Sequence, residues 1–499
     1  MTLNRRLLIE HGGEGHRGPR LPKCDVPSKD IAELLPSVAL RGTLELPQVS
    51  EPEVVRHFVE LSTLNHHIDR GLYPLGSCTM KHNPKINDEL AALPGFAQAH
   101  PLAGDAANQG ILRLLWTLQR TLAEITGFAG VTTQPVAGAH GEMTGLMLIR
   151  AWHRSRGEGE KRTRVIVPDS AHGTNPASVN LLGWEVVTVP SASDAGVDLG
   201  KLRAALDERT AAIMFTVPNT LGLFESHIQE VTKLAHDTGA LCYMDGANLN
   251  ALVGLVRPGD LGFDVMHINV HKTFSTPHGG GGPGGGPVAV AEKLLPFLPV
   301  PVIDEAGGTL RTRFDRPQSI GRVHAFHGNV GILVRALAYI AGLGPEGLRE
   351  VSHSAILNAN WLMRRLARTY ELPHDLHCMH EFVLSGRRLR AHGIKTLDVA
   401  KRLLDFGVHA PTVYFPLIVE EAMMVEPTET ETLDRLVHFA EAMETIAREA
   451  ETDPELLKSA PHTTPSSRLD EGKAARDLVL TWKPAAARSV AVPAGATRA

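Results

Sequence analysis

Between about Ile111 and Val290, apolar runs of strand length alternate with helical repeats. The runs are Val165–Val167, Val186–Val189, Ala211–Val217, Ala240–Met244 and Val265–Val270. The last closes on His267-Ile268-Asn269-Val270-His271, the period of two that a strand requires. Between the runs, Asp198 stands where a helix cap would precede Leu199, Leu202 and Leu206. Ile228, Val231, Leu234 and Ala235 repeat at three and four residues and stop at Gly239, a helix-terminating glycine. Alternation of this kind predicts an α/β domain with a mostly parallel sheet.

After about Pro317 the pattern changes. Helices are expected over Val330–Ile340, ending at Gly342-Leu343-Gly344-Pro345, and over Ile356–Ala367. A strand is expected at His380–Ser385, then a helix capped by Thr396 and ending before Gly407, then an amphipathic helix through Leu433, Leu436, Val437, Ala440 and Met443. These elements predict a smaller C-terminal α+β domain. The expected division is an N-terminal arm over 1–75, a large domain over 76–316, a small domain over 317–460 and a tail over 461–499. The Ala-, Pro- and Arg-rich end, Lys483–Ala499, is expected to be disordered.

Composition narrows the function classes. The 499 residues are 43% hydrophobic and 21% charged, with a net charge of −5. That balance gives no global basic field for nucleic acid or anionic lipid. No apolar run approaches the roughly eighteen residues of a membrane span. Met1–Gly18 is basic and glycine-rich without a signal-length apolar stretch. Cys24, Cys78, Cys242 and Cys378 are scattered and form no Cys-x-x-Cys pair, as in a reduced protein. A cytoplasmic enzyme is the expectation.

The segment Asp245–Val288 carries the clearest chemistry. Asp245 directly follows one apolar run and Lys272 follows the next, so both are expected at the edge of the sheet where open α/β folds bind ligands. A lysine and a carboxylate so placed match the needs of pyridoxal phosphate: an amine for a Schiff base and an acid partner for the ring nitrogen. The bland alternative is a surface lysine and a turn aspartate. Gln134–Glu142 resembles a helix start with free backbone N–H groups for an anion, and an ordinary glycine-rich helix start weighs about equally. His172, after the run Val165–Val167, is placed to stack on a ring, although by spacing alone a plain turn would win. The glycine-rich loop His278–Pro287 lacks the Gly-Lys-Ser/Thr ending of a nucleotide loop and reads as a close backbone approach. His374, His377, Cys378, His380 and Glu381 form a cluster of ligand types without a metal-site pattern, and no metal is expected.

Taken together, the words GLYPLGSCTMKHNPK (71–85), QPVAGAHGE (134–142), DSAHGTNPAS (169–178), VPNTLGLFE (217–225), DGANLNA (245–251), MHINVHKTFSTPHGGGGPG (266–284), HEFVLS (380–385) and PTVYFPLIVEEAMMVEPTET (411–430) resemble the P-protein family of the glycine cleavage system. The resemblance runs over roughly residues 30–450. It points to the cofactor-bearing half of the two-subunit form, glycine dehydrogenase (decarboxylating) subunit 2. It implies an aspartate-aminotransferase-type fold, pyridoxal 5'-phosphate as cofactor and no metal. It further implies decarboxylation of glycine, transfer of the aminomethyl group to the lipoyl arm of the H-protein, and assembly with subunit 1, two of each. By the same resemblance Lys272 is the Schiff-base lysine, Asp245 the partner of the ring nitrogen, and His172 the stacking histidine. Ala139, His140 and His271 are phosphate ligands, Asn219 or Thr220 contacts the ring's 3-oxygen, and Ala247 joins the cofactor-binding set. Arg322 and Arg335 are candidates for the substrate carboxylate by region only. Cys78 is expected to be a small buried residue rather than a nucleophile. The alternatives are another pyridoxal-dependent amino-acid decarboxylase or lyase of this fold, or a non-catalytic scaffold.

Overall fold

The computed structural model describes residues 7–11, 22–40, 46–278 and 284–481. The expected disordered end, Lys483–Ala499, lies outside them, as do residues 279–283 of the glycine-rich loop. The chain divides into two units, Met1–His67 with His462–Ala499, and Ile68–Pro461. In the first unit, the helix Glu51–Ser62 starts on a reciprocal cap in which the Ser50 N–H and hydroxyl both donate to Glu53 Oε2 (2.7 and 2.8 Å). Its apolar residues Val55, Phe58 and Val59 are all exposed.

The second unit is built on a seven-stranded sheet. Its strands are β1 (Gly130–Thr132), β2 (Arg164–Pro168), β3 (Glu185–Val189), β4 (Thr210–Thr216), β5 (Leu241–Gly246), β6 (Val265–Ile268) and β7 (Val288–Val290), in the order β1-β7-β6-β5-β4-β2-β3. The pairs β3–β2, β2–β4, β4–β5 and β5–β6 are parallel, and β7 runs antiparallel to both of its neighbours. Strand side chains alternate between two apolar layers. Ile166, Ile213, Phe215, Met244 and Ile268 enter one, and Val165, Val167, Ala212, Met214, Tyr243 and Val265 the other. Helices α1 (Gly138–Ser155) and α2 (Thr174–Leu181) pack in the second layer through Leu146, Ile149 and Val179. Helix α3 (Leu199–Ala205) is capped by Asp198, which accepts from Lys201 N–H. Helix α4 (Ile228–Asp237) fills the first layer with Ile228, Val231 and Ala235 and stops before Gly239.

Strand β6 ends at Ile268, short of the expected Val270. Ile268 N–H bonds Pro287 O, after which the chain leaves the sheet in a turn closed by Lys272 N–H on Asn269 O (3.0 Å). That turn carries Lys272 off the ladder and into the cleft at its end.

A hairpin of β8 (Val302–Ala306) and β9 (Thr309–Arg313) follows, then α5 (Val330–Leu366). The two helices expected here abut at Gly344 (φ 65°, ψ −177°), and the second begins at once with Pro345, well before Ile356. By length and composition α5 would be able to cross a membrane. It is interrupted at Gly344, and Leu333, Ala336, Leu362 and Leu366 are buried in the protein core. The sheet β10 (Phe382–Ser385), β11 (Thr412–Val413) and β12 (Ala422–Val425), in the order β10-β12-β11, packs with α6 (Thr396–Asp405) and α7 (Leu433–Thr452) around a third apolar cluster. Thr396 is the first helical residue of α6 rather than its cap, because the Asp398 carboxylate accepts from Lys395 N–H.

Candidate active site

The parallel strands end on a cavity of about 220 Å³. Its walls come from the loops and helix starts beyond β2, β4, β5 and β6, the position expected of a ligand site in an open α/β sheet. Lys272 and Asp245 both line it, with Ser77, Ala139, Glu142, His172, Thr174, Thr216, Ala247, Asn248, Asn269 and His271 among the others.

Asp245 is 2% exposed, and its carboxylate is surrounded by donors. Asn175 Nδ2 donates to Oδ2 (2.9 Å) and Ala247 N–H to Oδ1 (3.0 Å). His267 Nε2 lies 3.2 Å from Oδ1, within ion-pair reach. Burial alone would push the Asp245 carboxyl up, yet His267, His172 and these hydrogen bonds together hold it below the usual carboxylate range. The result is a buried, ionised carboxylate facing the cavity.

Lys272 is 7% exposed and its Nζ donates to Ser77 O (2.6 Å) and Asn248 Oδ1 (3.2 Å), both neutral. Across the cavity, His172 Nδ1 lies 2.8 Å from the Thr174 hydroxyl, which donates to Glu142 Oε1 (2.6 Å). Thr174 N–H reaches the same Nδ1 (3.3 Å), so Thr174, itself tied to Glu142, fixes the orientation of the ring. Burial, aided by Lys272 and His267, pushes His172 below its ordinary range against the pull of Asp245. His271 is pushed down to about 3 by burial, His278 and Lys272. Its Nδ1 accepts from Gly285 N–H (3.2 Å), which leaves the proton of the neutral ring on Nε2.

The N-terminus of α1 opens on the same cavity through Gly138 and Ala139. A helix start offers unsatisfied N–H groups and the positive end of the helix dipole. The returning loop passes very close: a Cβ on Gly286 would sit 2.0 Å from Ala137 O. This is the close backbone approach expected of the glycine-rich loop.

Not every expected residue reaches the cavity. Asn219 is committed to its own turn, accepting from Leu221 and Leu223 N–H and donating to Ala195 O. The Thr220 hydroxyl donates to Ser170 O (2.7 Å). The His140 ring turns back to accept from Val136 N–H, leaving its side chain off the wall. Arg335 is held by Asp88 and Gly331, and Arg322 lines a different cavity with Phe314 and His327. The Cys78 thiol is pushed up by burial and by Glu426 and Glu381 against the opposing field of Lys272, as suits a neutral small residue. A larger cavity, about 1000 Å³, lies among Trp361, Arg368, Arg388 and Arg448, without the buried lysine and carboxylate pairing.

A profile of the glycine cleavage system P-protein matches residues 29–406, and one of the glycine dehydrogenase C-terminal domain matches residues 351–462. The chain belongs to the glycine cleavage system P-protein family. Among its relatives, "Probable glycine dehydrogenase (decarboxylating) subunit 2" of Chloroherpeton thalassium is 54% identical over 96% of this chain and 98% of that one. The protein of the same name from Halalkalibacterium halodurans is 56% identical over 97% and 99%. The fold also matches a crystal structure of glycine decarboxylase (P-protein) in inhibitor-bound form, with a TM-score of 0.70 and 23% identity over 83% of this chain and 94% of that one.

P-protein sequence words contain more of this cavity than the sequence reading took from them. Ser77, Glu142, Thr216, Asn248 and Asn269 line it, and all but Thr216 lie inside a recognised word. A second buried lysine, Lys81, stands nearby, bound to Glu429 (2.6 Å), Asn250, Thr273 O and Tyr339. Burial would lower Lys81, but Glu429 and Tyr339 outweigh it and hold the ammonium form.

Proposed function

We propose that the cavity binds pyridoxal 5'-phosphate on Lys272, and that these residues carry the reaction of the P-protein family. That reaction decarboxylates glycine and passes the aminomethyl group to the lipoyl arm of the H-protein. The observation that carries the reading is the pairing, in one buried cavity, of a lysine amine on neutral partners with a carboxylate held ionised by its surroundings. One buried polar atom on this wall, Asn269 Oδ1, has no hydrogen-bond partner among the described residues, as a polar ligand would leave it. The donor set fits the group.

Pyridoxal phosphate, when bound, supplies an electron sink for the pair released as CO2 departs. Lys272 would hold its aldehyde carbon, with Ser77 O and Asn248 orienting the amine. Asp245 would keep a proton on the ring nitrogen, and its ionised state in a dry site makes that interaction strong. His172, fixed by Thr174 and Glu142, would cover a ring face. The first N–H groups of α1, with Asn269 and the neutral His271, would receive the phosphate. The largely buried lining residues would keep water from the carbon that must bond the lipoyl sulfur.

A partner half and the H-protein complete this reading. The name "subunit 2" of the relatives supports a second subunit, and the exposed Val55, Phe58 and Val59 of the helix Glu51–Ser62 support an apolar contact. Two copies of each subunit, in the cytoplasm, is the proposed assembly.

The test is carboxyl exchange between glycine and bicarbonate with lipoylated H-protein, on this chain, on the partner half and on the mixture, with light scattering in parallel. Exchange on glycine alone among a panel of amino acids, largely confined to the mixture, is expected. Turnover of another amino acid without glycine exchange would overturn the substrate. Full activity of this chain as a homodimer would overturn the two-subunit assembly.

A further inference from the structure

At one end of the three-stranded sheet, Phe382 of β10 pairs with Val425 of β12, so Glu381 and Glu426 emerge side by side. A carboxylate oxygen from each and a ring nitrogen of His380 lie within 4.8 Å of one another. Their exposures are 1%, 0% and 0%. Ser77 N–H donates to Glu381 Oε2 (2.6 Å), and the Thr79 hydroxyl to Glu426 Oε1 (2.5 Å). Among the described residues, Glu426 Oε2 and both nitrogens of His380 have no hydrogen-bond partner. His380 Nε2 is 3.6 Å from Glu381 Oε1, too far for one.

An ionised carboxylate only accepts, so a buried oxygen facing no donor is costly, and two adjacent buried negative charges are costlier. His380 offers no compensating charge, because burial and Lys272 push it down to about 3. We propose that Glu426 is a neutral carboxylic acid whose proton on Oε2 faces Glu381, and that this acid–carboxylate pair positions Ser77 and, through it, the amine of Lys272.

The link runs through one residue. Ser77 gives its N–H to Glu381 and its carbonyl to Lys272 Nζ (2.6 Å). Its φ of 62° is a left-handed value that a serine keeps only when held from both sides. Thr79, two residues on, is fixed by the other acid of the pair. The charged and titratable groups facing the pair are Lys272, Glu429 with its partner Lys81, His380 and Cys78. Burial pushes Glu381 up to about 7 and Glu426 well above the carboxylate range, with Lys272 opposing both. A divalent cation among the same oxygens would lie in the field of Lys272, one peptide away, which favours the proton.

The inference rests on Lys272 being the cofactor amine, and its test separates the two. Infrared spectra of the full chain labelled with carbon-13 glutamate, recorded without cofactor well above the value of about 7 to which Glu381 is raised, should contain an isotope-shifted protonated-carboxyl band. Glu426→Gln should remove it. In the glycine–bicarbonate exchange of the loaded complex, Glu426→Gln should move the alkaline limb up by about one pH unit or more, since an amide cannot ionise. Absence of the band from the wild type would overturn the proposal. So would a Glu426→Gln profile lowered uniformly with its limb unmoved, the behaviour of a merely structural glutamate. A stoichiometric metal lost on Glu426→Gln would overturn it in favour of a cation. Should the variant fail to fold, the wild-type band still decides, and it is read independently of any chemistry at Lys272.

Discussion

Two lysines are buried beside the same cleft, and their partners set them apart. Lys81 is ion-paired to Glu429 and bonded to three more oxygens, so its ammonium form is fixed in place. Among the described residues, the Lys272 amine hydrogen-bonds the Ser77 carbonyl and the Asn248 side-chain oxygen, both neutral. Asp245 is the complementary case, a carboxylate that burial would neutralise but that Asn175, Ala247 and two histidines keep charged. Asp245→Asn should therefore leave the cofactor linked to Lys272 while lowering glycine–bicarbonate exchange by about 10²–10³-fold, the cost of removing one preorganised electrostatic partner. Exchange near the wild-type rate would remove Asp245 from its role. All six of Lys272, Asp245, His172, Ala139, Ala247 and His271 line the cavity; Lys272 and Asp245 were legible from the strands they follow, the other four only through the family resemblance. Asn219 and Thr220 stay off the cavity wall because Asn219 bonds the backbone of its own turn and the Thr220 hydroxyl donates to Ser170 O. Glu381 and Glu426 escaped because they lie far apart in sequence and meet only through the register of β10 against β12.

At the scale of elements, the site depends on how strands end. β6 stops at Ile268 and a turn delivers Lys272, whereas the polar–apolar alternation alone extends the strand to Val270. Period-two alternation reports local backbone preference, while the true end is set by pairing with the Pro287 segment, a contact distant in sequence. The same limit applies to α5. The first half was legible to its end, but the start of the second half was not, because Pro345 opens a helix as readily as it follows one. Gly344 holds the break in a region of backbone space that is essentially glycine-only. Gly344→Ala should cost about 1–3 kcal/mol in denaturant unfolding of the full chain. An unchanged midpoint and slope would show that the break does not require glycine.

For the whole molecule, the many buried neutral histidines give a signed pH dependence. His271 and His380 are both pushed down to about 3, while an unfolded histidine titrates near 6.5. The unfolded chain then binds more protons between those values, so stability falls as pH drops through that window. Glu381, raised to about 7, acts in the opposite sense: its contribution is present at low pH and fades as pH rises through about 7. His380→Phe should accordingly show a shallower fall of Tm on acidification from about 6.5 towards 3 than the wild type. Parallel curves would mean that His380 is not the buried neutral ring described. The α/β class and the mostly parallel sheet were legible from alternation alone, because each strand run is continuous and apolar. Lys272, rather than Lys81 or another lysine, is the proposed cofactor amine. Borohydride reduction of the loaded protein followed by peptide mapping tests it most directly. The account predicts a pyridoxyl group on Lys272, and a label on Lys81, on another lysine or on none would contradict it.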